Sequence, residues 1–326
     1  MGDLELLALF CIFFQFFSPT GTTDGVIFIN ELDGRAFMRL HALTGHTSSV
    51  SCHAVSTNSL NPHRPDDSGL FVSGGWDGNI RLWNALTGEC LRVFDGKLIL
   101  DHRTSVEDAL WRQNMRINAI SFCKDCILSA NWRGGIISRR INDAEDNNTC
   151  FVRNHGIVTT RIEHYGKWLV SINHRSIVIV DLEDESNNRE LEQAFSADGD
   201  EVIVDFKSSQ IIYANKDNIF TYNIRTKEVI CFQKSSSEPM LDVTAIQANE
   251  NFVYTLNKDC SIYLWDGKFK LIDKICELPK VGMDRCHLTL SESSQRMLCV
   301  LSYHTLQGIM TNMYMISLSQ PVIEES

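Results

Sequence analysis

Between Leu70 and Phe94 the chain alternates apolar runs of period-two character with turns bearing Gly, Asp and Asn. The stretch Leu70-Phe-Val-Ser-Gly-Gly-Trp-Asp-Gly-Asn-Ile-Arg-Leu-Trp83 is followed by Asn84-Ala-Leu-Thr-Gly-Glu-Cys-Leu-Arg-Val-Phe94. Such a pattern predicts strand, turn, strand, turn, strand. Gly45-His46 stands ahead of it, and Val50-Ser-Cys-His-Ala54 supplies a further strand, so the unit holds four.

The unit recurs with decay. Segments beginning at Ser129, Ser171, Tyr213 and Thr255 align with Ser73 onward, and one column reads Gly75, Asn131, Asn173, Asn215, Asn257. Glycine and asparagine accept a positive φ most readily, so the column predicts a repeated left-handed turn position. The anchor column reads Trp83, Arg139, Val180, Tyr222 and Trp265, at spacings of 56, 41, 42 and 43 residues. A period near 42 signals a repeat architecture in which each unit buries its faces against its neighbours. Thr23-Asp-Gly25 to Gly34 parallels Trp76 onward, so a unit precedes the clear one, with the apolar run ending at Phe17 as its inner strand. Arg296–Tyr303 and Ile309–Ser317 supply another at the far end.

These residues resemble the WD-repeat β-propeller family, whose units of about 40–45 residues carry Gly-His and Trp-Asp punctuation; no particular member is identified. The resemblance implies an all-β propeller with blades of four antiparallel strands, seven by the unit count or six if the first unit joins the last strands to close the ring. The units fall at 1–40, 41–95, 116–152, 153–195, 196–232, 233–275 and 276–326, with an insertion at 96–115. By the same resemblance His46, Ser73, Asp77 and Trp83 form a structural hydrogen-bonded tetrad, and Thr255, Asp259 and Trp265 keep part of one. The Ser–His–Asp set is not read as a catalytic triad, because its serine lies within a strand and not on a nucleophile elbow. The column after the Gly/Asn position holds Trp76, Trp132, His174, Lys216 and Lys258, which the resemblance places on the top face, where propellers hold peptides.

Three insertions exceed short turns. Thr57–Ser68 reads as an exposed, Pro-stiffened loop. In 96–115, Ser105 and Asp108 resemble a capping arrangement, with Val106, Leu110 and Trp111 on one face of a short helix. There Leu110 and Trp111 either lie over a blade edge or offer a partner an anchor. The acidic run from Asp181 to Glu201 reads as a solvated loop, without the ligand pattern of a calcium site.

Composition narrows the partners. The net charge is −11, which opposes nucleic-acid binding, and proteins or peptides are the expected partners. No membrane partner is expected, because the apolar run at 4–17 is short for a spanning helix. It lacks a basic n-region and is read as a blade strand in preference to a secretory signal over residues 4–22, so the chain is expected in the cytoplasm, the nucleus or both. The 11 cysteines are odd in number and mostly sit in apolar runs, as reduced core residues do. Cys123-Lys-Asp-Cys126 reads as a hairpin turn flanked by cysteines; no second pair completes a zinc site, and no metal or cofactor is expected.

No phosphate-cradling loop, HExxH or nucleophile elbow is present, so the chain is not expected to be an enzyme. The leading reading is a non-catalytic scaffold that binds proteins through the top face and the 96–115 insertion. The alternative is a substrate receptor of a cullin-type ubiquitin ligase. Of that class's Trp-Asp-x-Arg ending, Tyr222-Asn-Ile-Arg225 keeps only the arginine.

Overall fold

The computed structural model describes residues 17–33, 36–55, 69–95, 116–123, 126–141, 150–154, 158–165, 167–173, 176–184, 186, 188–191, 203–207, 210–214, 218–233, 243–249, 251–266, 270–279, 285–290, 296–305 and 308–318. The chain divides into two compact units, Met1–Glu192 and Gln193–Ser326. Every element of three or more residues among the described residues is a strand, and no helix there is long and apolar enough to cross a membrane.

The first unit holds four antiparallel sheets, each an up-and-down meander. They are β1 (Phe17–Gly21), β2 (Ile27–Asp33) and β3 (Ala36–Leu43); β4 (Val50–Val55), β5 (Leu70–Gly75), β6 (Asn79–Asn84) and β7 (Cys90–Asp95); β8 (Ile117–Cys123), β9 (Cys126–Asn131), β10 (Gly135–Arg140) and β11 (Cys150–Asn154); and β12 (Thr159–Tyr165), β13 (Trp168–Asn173), β14 (Ile177–Asp181) and β15 (Arg189–Leu191). The second unit holds three: β16 (Ile203–Lys207), β17 (Gln210–Ala214), β18 (Asn218–Asn223) and β19 (Val229–Gln233); β20 (Val243–Ala248), β21 (Phe252–Asn257), β22 (Ser261–Asp266) and β23 (Leu271–Glu277); and β24 (Arg285–Leu290), β25 (Arg296–Thr305) and β26 (Gly308–Ser317).

Within each unit the core lies in layers between successive sheets. Phe71 and Trp83 pack toward Ile27, Ile29 and Leu43, while their sequence neighbours Val72 and Leu82 pack toward Ile117, Ile120 and Ile127. In the second unit Val253 and Trp265 meet Ile212 and Ile219, whereas Tyr254 and Leu264 meet Met297, Cys299 and Leu301. Side chains alternate between faces along a strand, and here both faces are covered. That is why the middle strands read as unbroken apolar runs and not as strict alternation. The anchor column holds its register through five sheets: Phe71 pairs with Trp83, Ile127 with Arg139, Leu169 with Val180, Ile211 with Tyr222 and Val253 with Trp265.

Several sequence expectations change. None of Gly75, Asn131, Asn173 and Asn257 has a positive φ. In three turns the left-handed residue stands three positions later, at Gly78 (φ 80), Gly134 (φ 81) and Cys260 (φ 66). The first sheet is also offset: β1 pairs Gly21 with Ile27 in the register of Gly74 with Ile80, which makes β1 the equivalent of β5, the second strand of its meander. The same close approach recurs, since a Cβ on Gly21 would fall 2.7 Å from Val50 Cβ and one on Gly74 would fall 2.5 Å from Ile117 Cγ2. The run before β1, residues 1–16, lies outside the described residues. So do the loop at 57–68, the insertion at 96–115 with Leu110 and Trp111, His174, Lys216, and the acidic residues from 192 to 201.

Asp181, read as part of a solvated run, is buried. It holds Lys167 Nζ at 2.7 Å and accepts the amides of Glu183 and Asp184 at 3.0 and 3.3 Å, so it ties a turn while Glu183 and Asp184 stay exposed. Strands β8 and β9 pair antiparallel with Cys123 opposite Cys126, and residues 124–125 lie outside the described residues.

Candidate functional site

Among the described residues the candidates lie in the turns between β5 and β6, β9 and β10, and β21 and β22. Three share one closure: Gly78, Gly134 and Cys260 donate their amides to the carbonyls of Gly75, Asn131 and Asn257 at 3.1, 3.0 and 2.9 Å. The fourth residue of such a turn takes the left-handed conformation before the strand resumes. The next amide is pinned by a side chain. Asp77 Oδ1 accepts it from Asn79 at 3.0 Å and Asp259 Oδ1 from Ser261 at 2.9 Å. In the third turn Arg133 stands at the Asp position, and Asn131 Oδ1 accepts from Gly135 at 3.0 Å and from Arg133 at 3.0 Å. Asn131 therefore supplies the acceptor that this turn has otherwise lost. Glycine at 75 has a different cause: a Cβ there would lie 2.6 Å from His46 Nδ1 and 2.7 Å from Asp77 Oδ1.

Behind the first of these turns His46, Ser73, Asp77 and Trp83 are joined by hydrogen bonds. His46 Nδ1 lies 3.0 Å from Asp77 Oδ2, His46 Nε2 lies 2.8 Å from Ser73 Oγ, and Trp83 Nε1 donates to the same Oγ at 2.8 Å. The Thr47 amide donates to Asp77 Oδ2 at 2.9 Å. Burial pushes the Asp77 carboxyl upward, but the bonds from His46, Asn79 and Thr47, with the attraction of His46, outweigh it and hold it at about 2. Ser73 is fully buried, and its oxygen is shared between an imidazole and an indole. Partial versions stand elsewhere: Trp265 Nε1 donates to Thr255 Oγ1 at 2.9 Å, and Arg139 Nη1 donates to Ser129 Oγ at 3.1 Å. The buried arginine thus replaces the indole N–H at the anchor position of β10.

At the outer ends of the turns Trp76 and Trp132 come together through a residue the sequence reading did not single out. The Trp76 amide donates to the Ser49 carbonyl at 2.8 Å and the Trp132 amide to the Arg116 carbonyl at 2.9 Å, so each turn is tied to the residue just before its sheet's first strand. Arg116 places its guanidinium carbon 4.4 Å from the Trp76 ring centroid and 6.0 Å from that of Trp132. Trp132 is 42% exposed and Trp76 half-buried. The signal for Arg116 was its place immediately ahead of β8, in the position Ser49 holds ahead of β4. In the second unit Lys258 is exposed in its turn, next to the exposed Asp259. Tyr222 is buried, and Arg225 sits exposed in the turn after β18, its amide donating to Asn223 Oδ1 at 2.9 Å. Among the described residues no cluster of His, Cys, Asp and Glu could hold a metal ion.

Meanders of three or four antiparallel strands, packed face to face within each unit and pinned by Trp-to-hydroxyl bonds, define an all-β protein of the β-propeller class. Residues 37–84 match the family model described as WD domain, G-beta repeat. Two solved structures share the fold. "Structure of U3-55K" superposes with a TM-score of 0.67 at 14% identity, over 98% of this chain and 97% of that one. "Crystal structure of RRP9 WD40 repeats" gives 0.66 at 15% identity, over 98% and 96%. No curated protein sequence matches the chain. The chain thus carries a WD repeat and has the fold of WD40-repeat propellers.

Proposed function

We propose that this protein is a non-catalytic scaffold that binds a partner protein at the turn ends where Trp76, Arg116 and Trp132 stack. The observation that carries the reading is the cluster itself: a guanidinium lying over two indoles, with one indole 42% exposed and held by a backbone hydrogen bond. Rigid aromatic and arginine side chains at a surface supply binding area at low entropic cost, and they dominate interface energetics. A non-catalytic role is supported by the state of the Ser73–His46–Asp77 set, whose serine is buried and occupied by Trp83 Nε1. The insertion at 96–115, with Leu110 and Trp111, is proposed as a second contact because it immediately precedes Arg116 in the chain.

The test is affinity purification of the intact chain beside a Trp76→Ala/Trp132→Ala variant whose unfolding midpoint matches the parent. The expected result is partners captured by the parent and lost, by about tenfold or more, from the variant, since a truncated hot spot costs roughly 2 kcal/mol or more. Partners held equally by both would remove the stack from the binding surface. An Arg225→Ala arm addresses the ligase-receptor alternative, which requires a cullin adaptor among the captured proteins and its loss from that variant.

A further inference from the structure

We propose that Arg116 is the specificity-determining residue of this surface and that it receives a carboxylate side chain from an acidic segment of the partner. The inference rests on the scaffold reading above and deepens it. The guanidinium carbon lies over the Trp76 ring at 4.4 Å from its centroid and over the Trp132 ring at 6.0 Å, and a guanidinium held over ring faces keeps its N–H edge able to donate. A planar guanidinium backed by aromatic rings is weakly hydrated and presents a fork that matches a carboxylate bidentately. Among the described residues no acceptor takes a hydrogen bond from that fork. The carboxylate in the adjoining turn, Asp77, is already committed: Oδ1 accepts from Asn79, Oδ2 from Thr47, and both lie within 3.1 Å of His46 Nδ1.

Charge fixes the character of the recognition. With a net charge of −11 the chain repels an acidic partner at long range. Attraction must therefore be local, and affinity should depend on the Arg116 guanidinium that the two indoles hold. A single cation balances a single carboxylate, whereas a phosphate monoester carries about −1.5 to −2 and calls for more than one.

The experiment is a displayed random-peptide selection on the intact chain, run in parallel on Arg116→Gln and Arg116→Lys variants with matched unfolding midpoints. Enriched peptides should share Glu or Asp at one position. The best of them should lose about tenfold or more in affinity when that residue becomes Gln or when the protein carries Arg116→Gln. Arg116→Lys should restore only part of the loss, because it keeps the charge without the fork. Enrichment without an acidic position, no enrichment, equal affinity for Arg116→Gln, or binding of phosphoserine peptides but not their Glu counterparts would each overturn the proposal. If the Trp76→Ala/Trp132→Ala variant loses its partners while Arg116→Gln keeps them, the scaffold reading stands and this inference falls.

Discussion

Asp77 shows how one side chain is asked to do several things. It receives two backbone amides and lies against His46, and these interactions outweigh its burial to hold its carboxyl at about 2, below the roughly 3.9 of an unfolded aspartate. A depressed folded value stabilises the fold above the unfolded value, and that contribution is lost as pH falls from about 4 through about 2. Thermal unfolding followed from pH 5 to pH 2 should therefore show a falling midpoint in that window. Asp77→Asn should lower the midpoint at pH 7 and flatten this part of the profile; an unchanged slope would mean other carboxylates control acid stability. The same residue accounts for a limit of sequence reading. The Gly/Asn column was visible, but its cause was not a positive φ: at Gly75 it is the space taken by His46 and Asp77, and at Asn131 it is an acceptor supplied where Arg133 has displaced the aspartate.

The strands and their pairing were largely legible, because anchor residues set eleven or twelve positions after their partners give the same register from Phe71–Trp83 to Val253–Trp265. In the first sheet the Thr-Asp-Gly turn is legible and β1 is Phe-Ser-Pro-Thr-Gly, while the apolar run read as its inner strand lies, apart from Phe17, outside the described residues. Arg116 escaped because its partners lie 40 residues back, in one sheet, and 16 residues on, in the other, a proximity created only by stacking successive meanders. Within one meander the bond from Trp265 to Thr255 can be isolated. Thr255→Val keeps the shape and removes the acceptor of a buried indole, so urea unfolding should show a loss of about 1–3 kcal/mol. No loss would mean that the indole N–H finds another partner.

Across the molecule the cysteines offer internal reporters. Cys52, Cys260 and Cys299 are buried cysteines outside any disulfide, and burial, only partly offset by bonds to Ser51 and Gly74, pushes Cys52 up to about 12. Alkylation at pH 8 with mass-spectrometric readout should modify half-buried Cys90, Cys126 and Cys276 in the native chain and reach the three buried thiols only on unfolding. Rapid native labelling of Cys52 would contradict its packing. Coincident denaturant midpoints for Cys52 and Cys299 would show the two units unfolding as one, and separate midpoints would show them unfolding independently. A last consequence follows from the matched WD repeat. Residues 37–84 begin in β3, the last strand of one sheet, and end in β6 of the next, so the genetic period and the structural period are out of phase. A tandem duplication of this segment would not append a free-standing sheet. Each new copy would lend its first strand to the sheet before it and its remaining strands to the sheet after, so a lineage that gains or loses copies couples every newcomer covalently to two neighbours at once.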